Sequence, residues 1–408
     1  MNAPAQVRFH ALDALRAFAL LLGVCFHAAI SFTAPGGIWA VGTSPPETFA
    51  AIFVYYVHTF RMEVFFLLAG FFARLVIGRR GVWSFARDRT VRIALVFAVA
   101  LYPMKIVLAA IWITGGRLTG WLKLPPEAAG LPTWKLALGA QGLEHWPNIN
   151  LTHLWFLYYL MCITALALVF RGLATRVLGS GRPWGARADG AFRRIVAGGW
   201  SPWVLALSVF PLVLLMKGTD VDTPDKGFGW HVPVLALYAL FFAVGWMLQR
   251  QPELVAAFGR RWPFLLLASL AVGWFSIWCI GQHYAGASWT TSHRHLARVV
   301  IAAGTSLTMC LAVTGWLGLF VRCFDRARPW VRYLADSAYW VYLSHLPLVV
   351  ALQVAVATWS TPWWAKWILI NLIAAAVLFP SYHWFVRRTW LGLWINGRRI
   401  PANGYREP

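Results

Sequence analysis

The first long apolar segment of this 408-residue chain carries three ionisable residues, Asp13, Arg16 and His27. A histidine ionises near neutral pH and suits a general base, while an arginine suits recognition of phosphate or carboxylate. Arg16 and His27 are eleven residues apart, which on a helix is about 20° from three full turns. Both side chains are therefore predicted to lie on one face, separated by about 16 Å along the axis. Asp13 precedes Arg16 by one turn and is predicted to pair with it.

Each of these three residues also has a structural interpretation. Asp13 and Arg16 are typical of an ion pair that anchors a helix end at a membrane interface. His27 alone is typical of a hydrogen-bonded packing residue. Gly23 lies on the same stripe, which predicts room for a ligand beside the helix. We interpret the three ionisable residues as a functional site because such groups are costly inside a membrane span.

Further ionisable residues lie in later apolar segments. Arg61 and Glu63 are two residues apart, so they point to different sides of a helix, and two interhelical salt bridges are the alternative interpretation. His153 opens another segment, near the outer interface, where a histidine costs little. His345 lies near the middle of its segment, and Pro347 frees a backbone carbonyl close to it. A histidine next to a helix break in mid-membrane predicts a polar cavity.

The apolar segments themselves identify the class of protein. The chain is 60% hydrophobic and only 12% charged, too few polar residues for the outer shell of a soluble protein. We predict an all-α fold, a polytopic integral membrane bundle of about ten transmembrane helices that forms a single domain over residues 1–408. The predicted spans are 11–31, 51–73, 91–114, 152–170, 201–217, 231–248, 263–281, 296–320, 334–357 and 367–386.

The distribution of positive charge predicts the orientation in the membrane. Of the 36 Lys and Arg residues, 25 fall in the connections on one side of the ten spans and 8 on the other. The positive-inside rule then places both termini in the cytoplasm, with membrane lipid around the bundle. Because the arginines cluster between apolar runs, the net charge of +22 does not indicate nucleic-acid binding. The five cysteines form no CxxC pair, and no metal site is predicted.

Three motifs, in this order, resemble the acyltransferase family 3 membrane proteins. Leu12-Asp13-Ala14-Leu15-Arg16 followed by His27 is similar to the family's Arg-x10-His pair in its first helix. The run "FFLLAGFF" at 65–72 looks like the family's second helix, and "SAYWVYLSHLP" at 337–347 is similar to its "SYxIYLxHxP" segment. Within the family, "HTFRMEVFFLLAGFF" and "HLWFLYYLM" most resemble the glucan biosynthesis protein C branch.

The resemblance implies a membrane O-acyltransferase of the bacterial inner membrane. Its donor is a cytoplasmic acyl-CoA, succinyl-CoA or acetyl-CoA, and its acceptor is a hydroxyl of an extracytoplasmic glycan such as a periplasmic glucan. His27 is then the base near the acceptor, and Arg16, oriented by Asp13, lies near the donor. Glu63 and His345 are further catalytic candidates. The candidates for binding acyl-CoA are Arg16, Arg61, Arg87, Arg89, Arg92 and His153.

Two alternatives belong to other classes of protein. Buried His, Arg and Glu residues also form proton relays, as in a proton-coupled secondary transporter of a small solute or glycan precursor. Transporters often have related halves or paired broken helices, and the sequence has neither feature. An unrelated membrane-bound O-acyltransferase is the second alternative, but its pattern does not suit the Arg and His pair of the first helix.

Overall fold

A computed structural model describes residues 9–140, 149–178 and 183–396. Within these ranges the chain forms helices and loops and no β-strand, which confirms the predicted all-α bundle. Residues 1–8 and 397–408 lie outside the described residues, so the cytoplasmic location of both termini stays a prediction. The helices are α1 His10–Ile30, α2 Thr48–Arg89, α3 Leu95–Thr119, α4 Pro126–Ala129, α5 Thr133–Gly139, α6 Trp155–Leu178, α7 Pro183–Ala197, α8 Ser201–Leu214, α9 Val232–Arg250, α10 Val255–Phe258, α11 Trp262–Tyr284, α12 Ser288–Ser292, α13 Arg294–Cys323, α14 Pro329–Ala355, α15 Trp363–Ser381 and α16 Trp390–Asn396.

Among the described residues, eight helical elements are long and apolar enough to cross a membrane. One of them runs from Thr48 to Thr119 and contains two predicted spans, 51–73 and 91–114. The predicted span 201–217 corresponds to α8, which has 14 residues and qualifies only together with α7, to which it is bent by 112°. A multi-pass membrane bundle is therefore confirmed, and the number ten stays a prediction.

Gly81 interrupts the long Thr48–Thr119 element between its two predicted spans. Its φ of 78° and ψ of 167° lie in a region that essentially only glycine adopts. A π-helical turn, Thr90–Ala94, then joins α2 to α3. Such turns hold one extra residue per turn, which redirects the side chains around them, and they are frequent at functional sites.

The first helix lies inside the bundle. α1 packs against α2, α13, α14 and α15. Leu12 and Leu15 belong to the main hydrophobic core, and Leu20 and Val24 belong to a second core shared with α14 and α15. This central position shields the ionisable residues of α1 from lipid hydrocarbon, where they are most costly.

Two glycines bring α2 and α9 into unusually close contact. A Cβ added to Gly70 on α2 meets the backbone carbonyl oxygen of Phe242, and one added to Gly245 on α9 meets the carbonyl oxygen of Leu67. Each helix therefore receives the backbone of the other at a glycine, as is common where membrane helices pack closely. The pairing fixes the wall of the bundle that carries Arg61.

We expect Gly245→Ala to destabilise the protein because the new methyl group overlaps the α2 backbone, which has no flexible side chain to move aside. Overpacking of this kind costs about 1–3 kcal/mol. Thermal unfolding in detergent measures the effect. Gly172→Ala on α6 is the matched control, since nothing lies within 4 Å of the added atom. Equal unfolding midpoints for the two variants contradict the close contact.

Candidate active site

A cavity of about 880 Å³ lies among α1, α2, α3, α6 and α14, a volume typical of sites for small-molecule substrates and cofactors. At one end it is lined by cationic residues from the predicted cytoplasmic side, Arg16, Arg89 and Arg92. At the other end it is lined by residues of predicted outer loops, Trp39, Asn150 and Lys226. Between the two ends its wall includes His27, His153, His345 and Arg61. A cavity with polar residues on its wall is therefore present beside His345, but the predicted helix break is wrong, because α14 continues through Pro347 from Pro329 to Ala355.

Three histidines from three different elements meet in this cavity. The ring centroids of His27 and His345 are 5.2 Å apart, and those of His345 and His153 are 5.5 Å apart. His27 lies on α1, His345 on α14, and His153 in the 3-10 turn that precedes α6. Within the described ranges, no group of three or more metal-ligating side chains has a geometry that holds a metal ion.

Pro347 explains how His153 is held against α14. A proline has no N–H, so the carbonyl four residues earlier, that of Leu343, loses its helical partner. The Nε2 atom of His153 lies 3.3 Å from that carbonyl oxygen and donates to it. The hydroxyl of Tyr342 in turn donates to the carbonyl of His153 at 2.8 Å. The carbonyl freed by Pro347, as the sequence predicts, is thus used to fix a neighbouring histidine.

The surroundings of His345 determine its tautomer. Its Nδ1 atom lies 2.7 Å from the carbonyl oxygen of Tyr342 and 3.0 Å from that of Val341. Carbonyl oxygens only accept hydrogen bonds, so Nδ1 carries the proton. The Nε2 atom is then left with a lone pair that can accept a proton or a hydrogen bond. His345 is buried and is also one of the residues that line the cavity.

His27 is fixed through its backbone and its ring neighbours. Its carbonyl oxygen accepts a hydrogen bond from the side-chain amide of Gln353 at 2.8 Å. Its ring stands edge-on to Phe26 at 5.0 Å and parallel to Trp39 at 6.2 Å. Its buried Nδ1 atom has no hydrogen-bond partner among the described residues. His27 itself lines the cavity, and an imidazole is the side chain used most often as a general base.

Arg16 and Asp13 pair as predicted. The guanidinium of Arg16 lies 3.1 Å from a carboxylate oxygen of Asp13 and 3.5 Å from the carbonyl oxygen of Ala335. The guanidinium also lies over the ring of Phe72, 5.6 Å from its centroid. Arg16 also forms part of the cavity wall, so its guanidinium is available to the cavity. Asp13 orients the cation while leaving it accessible to a ligand.

Two of the three arginines predicted on α2 and the π-helical turn reach the cavity. Arg89 and Arg92 line it, whereas Arg87 is not among the lining residues. Arg92 lies 2.7 Å from Asp88, and its carbonyl accepts a hydrogen bond from Tyr339 at 2.5 Å. These contacts fix the turn that carries Arg92 against α14.

Arg61 and Glu63 point to different sides of α2, as predicted. Arg61 lines the cavity, with its guanidinium 5.0 Å from the centroid of Phe26. Glu63 is fully buried away from the cavity wall, and neither of its carboxylate oxygens has a hydrogen-bond partner among the described residues. The alternative of two interhelical salt bridges is therefore wrong for the described part of the chain. The room predicted beside Gly23 is taken by Arg61, whose guanidinium occupies the space of a Cβ there.

Sequence reasoning missed two residues that shape the site, Trp39 and Gln353. Trp39 lies in the loop between α1 and α2 and lines the cavity. Gln353 lies on α14 and is 1% exposed. A glutamine inside an apolar span is a signal that could have been noticed beside the ionisable residues. Trp39 had no such signal, because 26 tryptophans occur in this chain.

Comparisons with known proteins identify the family to which the chain is similar. Residues 9–383 match the family model described as the acyltransferase domain. Two proteins named glucans biosynthesis protein C, from Escherichia coli O6:K15:H31 (strain 536 / UPEC) and Escherichia coli (strain SMS-3-5 / SECEC), are each 24% identical to this chain. Each comparison covers 93% of this chain and 92% of the relative. No solved structure matches the chain significantly.

We expect Tyr342→Phe to lower the free energy of unfolding by about 1 kcal/mol, because it removes the hydroxyl that holds the backbone of His153. Thermal unfolding in detergent measures the change. Tyr102→Phe is the control, since Tyr102 is 49% exposed and its hydroxyl has no hydrogen-bond partner among the described residues. If both variants unfold at the wild-type temperature, the hydrogen bond does not stabilise the site.

Proposed function

This chain belongs to the acyltransferase family, and we propose that it moves an acyl group from cytoplasmic acyl-CoA to a hydroxyl of an extracytoplasmic glycan. The observation that carries the proposal is one cavity that is lined by arginines of the predicted cytoplasmic side and by residues of the predicted outer loops, with His27 between them. Donor and acceptor enter such a cavity from opposite ends and meet at the histidine. The proposed location is the bacterial inner membrane.

The arginine-lined end suits the phosphates of coenzyme A. Arg16, Arg89 and Arg92 line it together, and guanidinium groups bind phosphates through paired, charge-assisted hydrogen bonds. Asp13 and Asp88 hold two of these cations in place. The axial distance of about 16 Å between Arg16 and His27 suits the long pantetheine arm, whose thioester then lies near the histidine.

His27 is the proposed general base. It takes the proton of the acceptor hydroxyl as that oxygen attacks the thioester carbonyl carbon, and it returns the proton to the sulfur as the carbon–sulfur bond breaks. The products are the acyl ester and free coenzyme A. Arg61, a cation on the same cavity wall, can stabilise the negative charge that develops on the carbonyl oxygen. The ring centroid of His345 lies 5.2 Å from that of His27. The Nε2 lone pair of His345 is thus a second proton acceptor close to His27.

The remaining site predictions fit this scheme less directly. His153 lines the cavity near His345, so its predicted contact with acyl-CoA stays a prediction. Glu63 does not line the cavity, so its predicted catalytic role stays a prediction. Arg87 is likewise outside the lining residues.

The relatives favour one type of acceptor. Both are named for glucan biosynthesis, so we propose a periplasmic glucan as the acceptor and a succinyl or acetyl group as the acyl group. Mass spectrometry of cell-envelope glycans, with and without the gene, identifies the acyl group and the acceptor together.

We expect His27→Ala to lower acyl transfer by about 100- to 10,000-fold, the usual contribution of a general base. Transfer from labelled acyl-CoA to β-glucan oligosaccharides in membranes measures the rate, and a blot measures protein abundance. His283→Ala is the matched control, because His283 is exposed and does not line the cavity. Normal transfer by His27→Ala at normal abundance excludes His27 as the base.

We expect Arg16→Lys to raise the KM for acyl-CoA by about tenfold or more, with a smaller change for the acceptor. Lysine keeps the charge but loses the planar pair of donors, and hydrogen bonds to charged groups contribute about 1.5–3 kcal/mol. Steady-state kinetics with varied acyl-CoA measure the effect. Arg326→Lys, at an exposed loop position, serves as the control. An unchanged donor KM in Arg16→Lys rules out paired recognition of phosphate by Arg16.

A further inference from the structure

The loop between α1 and α2 places Trp39 on the wall of the cavity, at its outer end. The side chain is half-buried, so part of its ring is covered by protein and part is open. Its plane is within 11° of the plane of His27, and the two ring centroids are 6.2 Å apart. Trp112 on α3 stands edge-on to it at 4.9 Å. A flat aromatic surface thus lies directly beside the proposed base.

Gln353 fixes the position of this aromatic surface relative to His27. The indole N–H of Trp39 donates to the side-chain oxygen of Gln353 at 2.8 Å. The amide nitrogen of Gln353 donates to the carbonyl oxygens of His27 at 2.8 Å and Ala28 at 3.1 Å. Carbonyls in the last turn of a helix lack helical partners, so α1 offers these acceptors freely. One glutamine therefore connects the tryptophan to the backbone of the base.

The backbone around Trp39 is also held. The N–H of Gly37 donates to the carbonyl of Trp39 at 3.1 Å. The carbonyl of Ala40 accepts a hydrogen bond from the indole of Trp121 at 3.0 Å. Gly115 on α3 lets that carbonyl approach closely, since an added Cβ is 2.6 Å from its oxygen. The loop is therefore built to present Trp39 in one position.

Since the indole N–H is already used, the open part of Trp39 offers only its ring. The face of an aromatic ring is electron-rich, and the C–H groups on one side of a pyranose ring are electron-poor, so the two surfaces attract. Asn150, Asp225 and Lys226, from the predicted outer loops, line the same cavity. Asp225 and Lys226 pair at 3.2 Å, and the side-chain oxygen of Asn150 accepts a hydrogen bond from the backbone N–H of Thr152. Their remaining donors and acceptors suit sugar hydroxyls. An aromatic face and polar side chains in one cavity suit a carbohydrate ligand.

We propose that Trp39 is the stacking platform for a pyranose ring of the acceptor, and that Gln353 is a positioning residue that holds this platform beside His27. The inference rests on the proposed acyl transfer, which it deepens by assigning the acceptor subsite. It also predicts that the protein binds an acceptor that contains a sugar ring more tightly than an open-chain polyol.

The experiment compares a ring-containing acceptor with an open-chain one. We expect Trp39→Ala to raise the KM for a β-glucan oligosaccharide by about tenfold, while the KM for sorbitol and the KM for acyl-CoA change by less than about twofold. Trp39→Phe keeps an aromatic face and is expected to recover most of the loss. Trp134→Ala is the control, because Trp134 is 58% exposed and does not line the cavity. An unchanged oligosaccharide KM in Trp39→Ala, or an equal rise for all three substrates, overturns the proposal.

The role of Gln353 is tested by a double-mutant cycle. We expect Gln353→Leu to raise the oligosaccharide KM, and we expect the double variant with Trp39→Ala to be no worse than Trp39→Ala alone, since both remove the same platform. Additive effects contradict the connection between the two residues.

Calorimetric binding of the oligosaccharide to the purified protein, without donor, separates this inference from the proposed function. Binding that depends on Trp39 in a protein that transfers no acyl group refutes acyl transfer and retains the subsite. Transfer together with binding that is independent of Trp39 refutes the subsite and retains acyl transfer.

Discussion

Lipid hydrocarbon offers no hydrogen bonds, so each polar group of this bundle needs either a partner inside the protein or a place on the cavity wall. α14 supplies many of the partners. Three of its residues form hydrogen bonds with three other elements. The hydroxyl of Tyr339 donates to the carbonyl of Arg92, the carbonyl of Leu343 accepts from the ring of His153, and the side chain of Gln353 donates to the carbonyl of His27. One helix therefore holds groups from the arginine-lined end of the cavity to its outer end.

Arg61 satisfies this constraint, whereas Glu63 is an exception to it. Arg61 has no ion-pair partner among the described residues, but it lies on the cavity wall, where water or a substrate can solvate its charge. Glu63 has neither a partner among those residues nor a place on the wall. Residues two apart on a helix point to different sides of it. Arg61 and Glu63 therefore lie in different environments although they are close in sequence.

Local periodicity predicted much of the site. The spacing of Arg16 and His27 along one helix placed both on the cavity wall, and the one-turn offset of Asp13 predicted its ion pair. What could not be predicted depends on contacts between distant segments. The guanidinium that fills the space beside Gly23 belongs to Arg61 on α2. The sequence of α1 alone contains no pattern that predicts this contact. Composition did predict two separate spans between Thr48 and Thr119, and Gly81 interrupts the helix between them.

A cavity that reaches from one face of a membrane protein towards the other also endangers the ion gradients that the membrane maintains. Water in such a cavity is a potential path for protons. A fixed positive charge along a pore repels protons and metal cations, as it does in water channels. Arg61 stands on the cavity wall and forms no ion pair with a carboxylate among the described residues. A positive charge at this position disfavours the entry of protons and metal cations into the cavity.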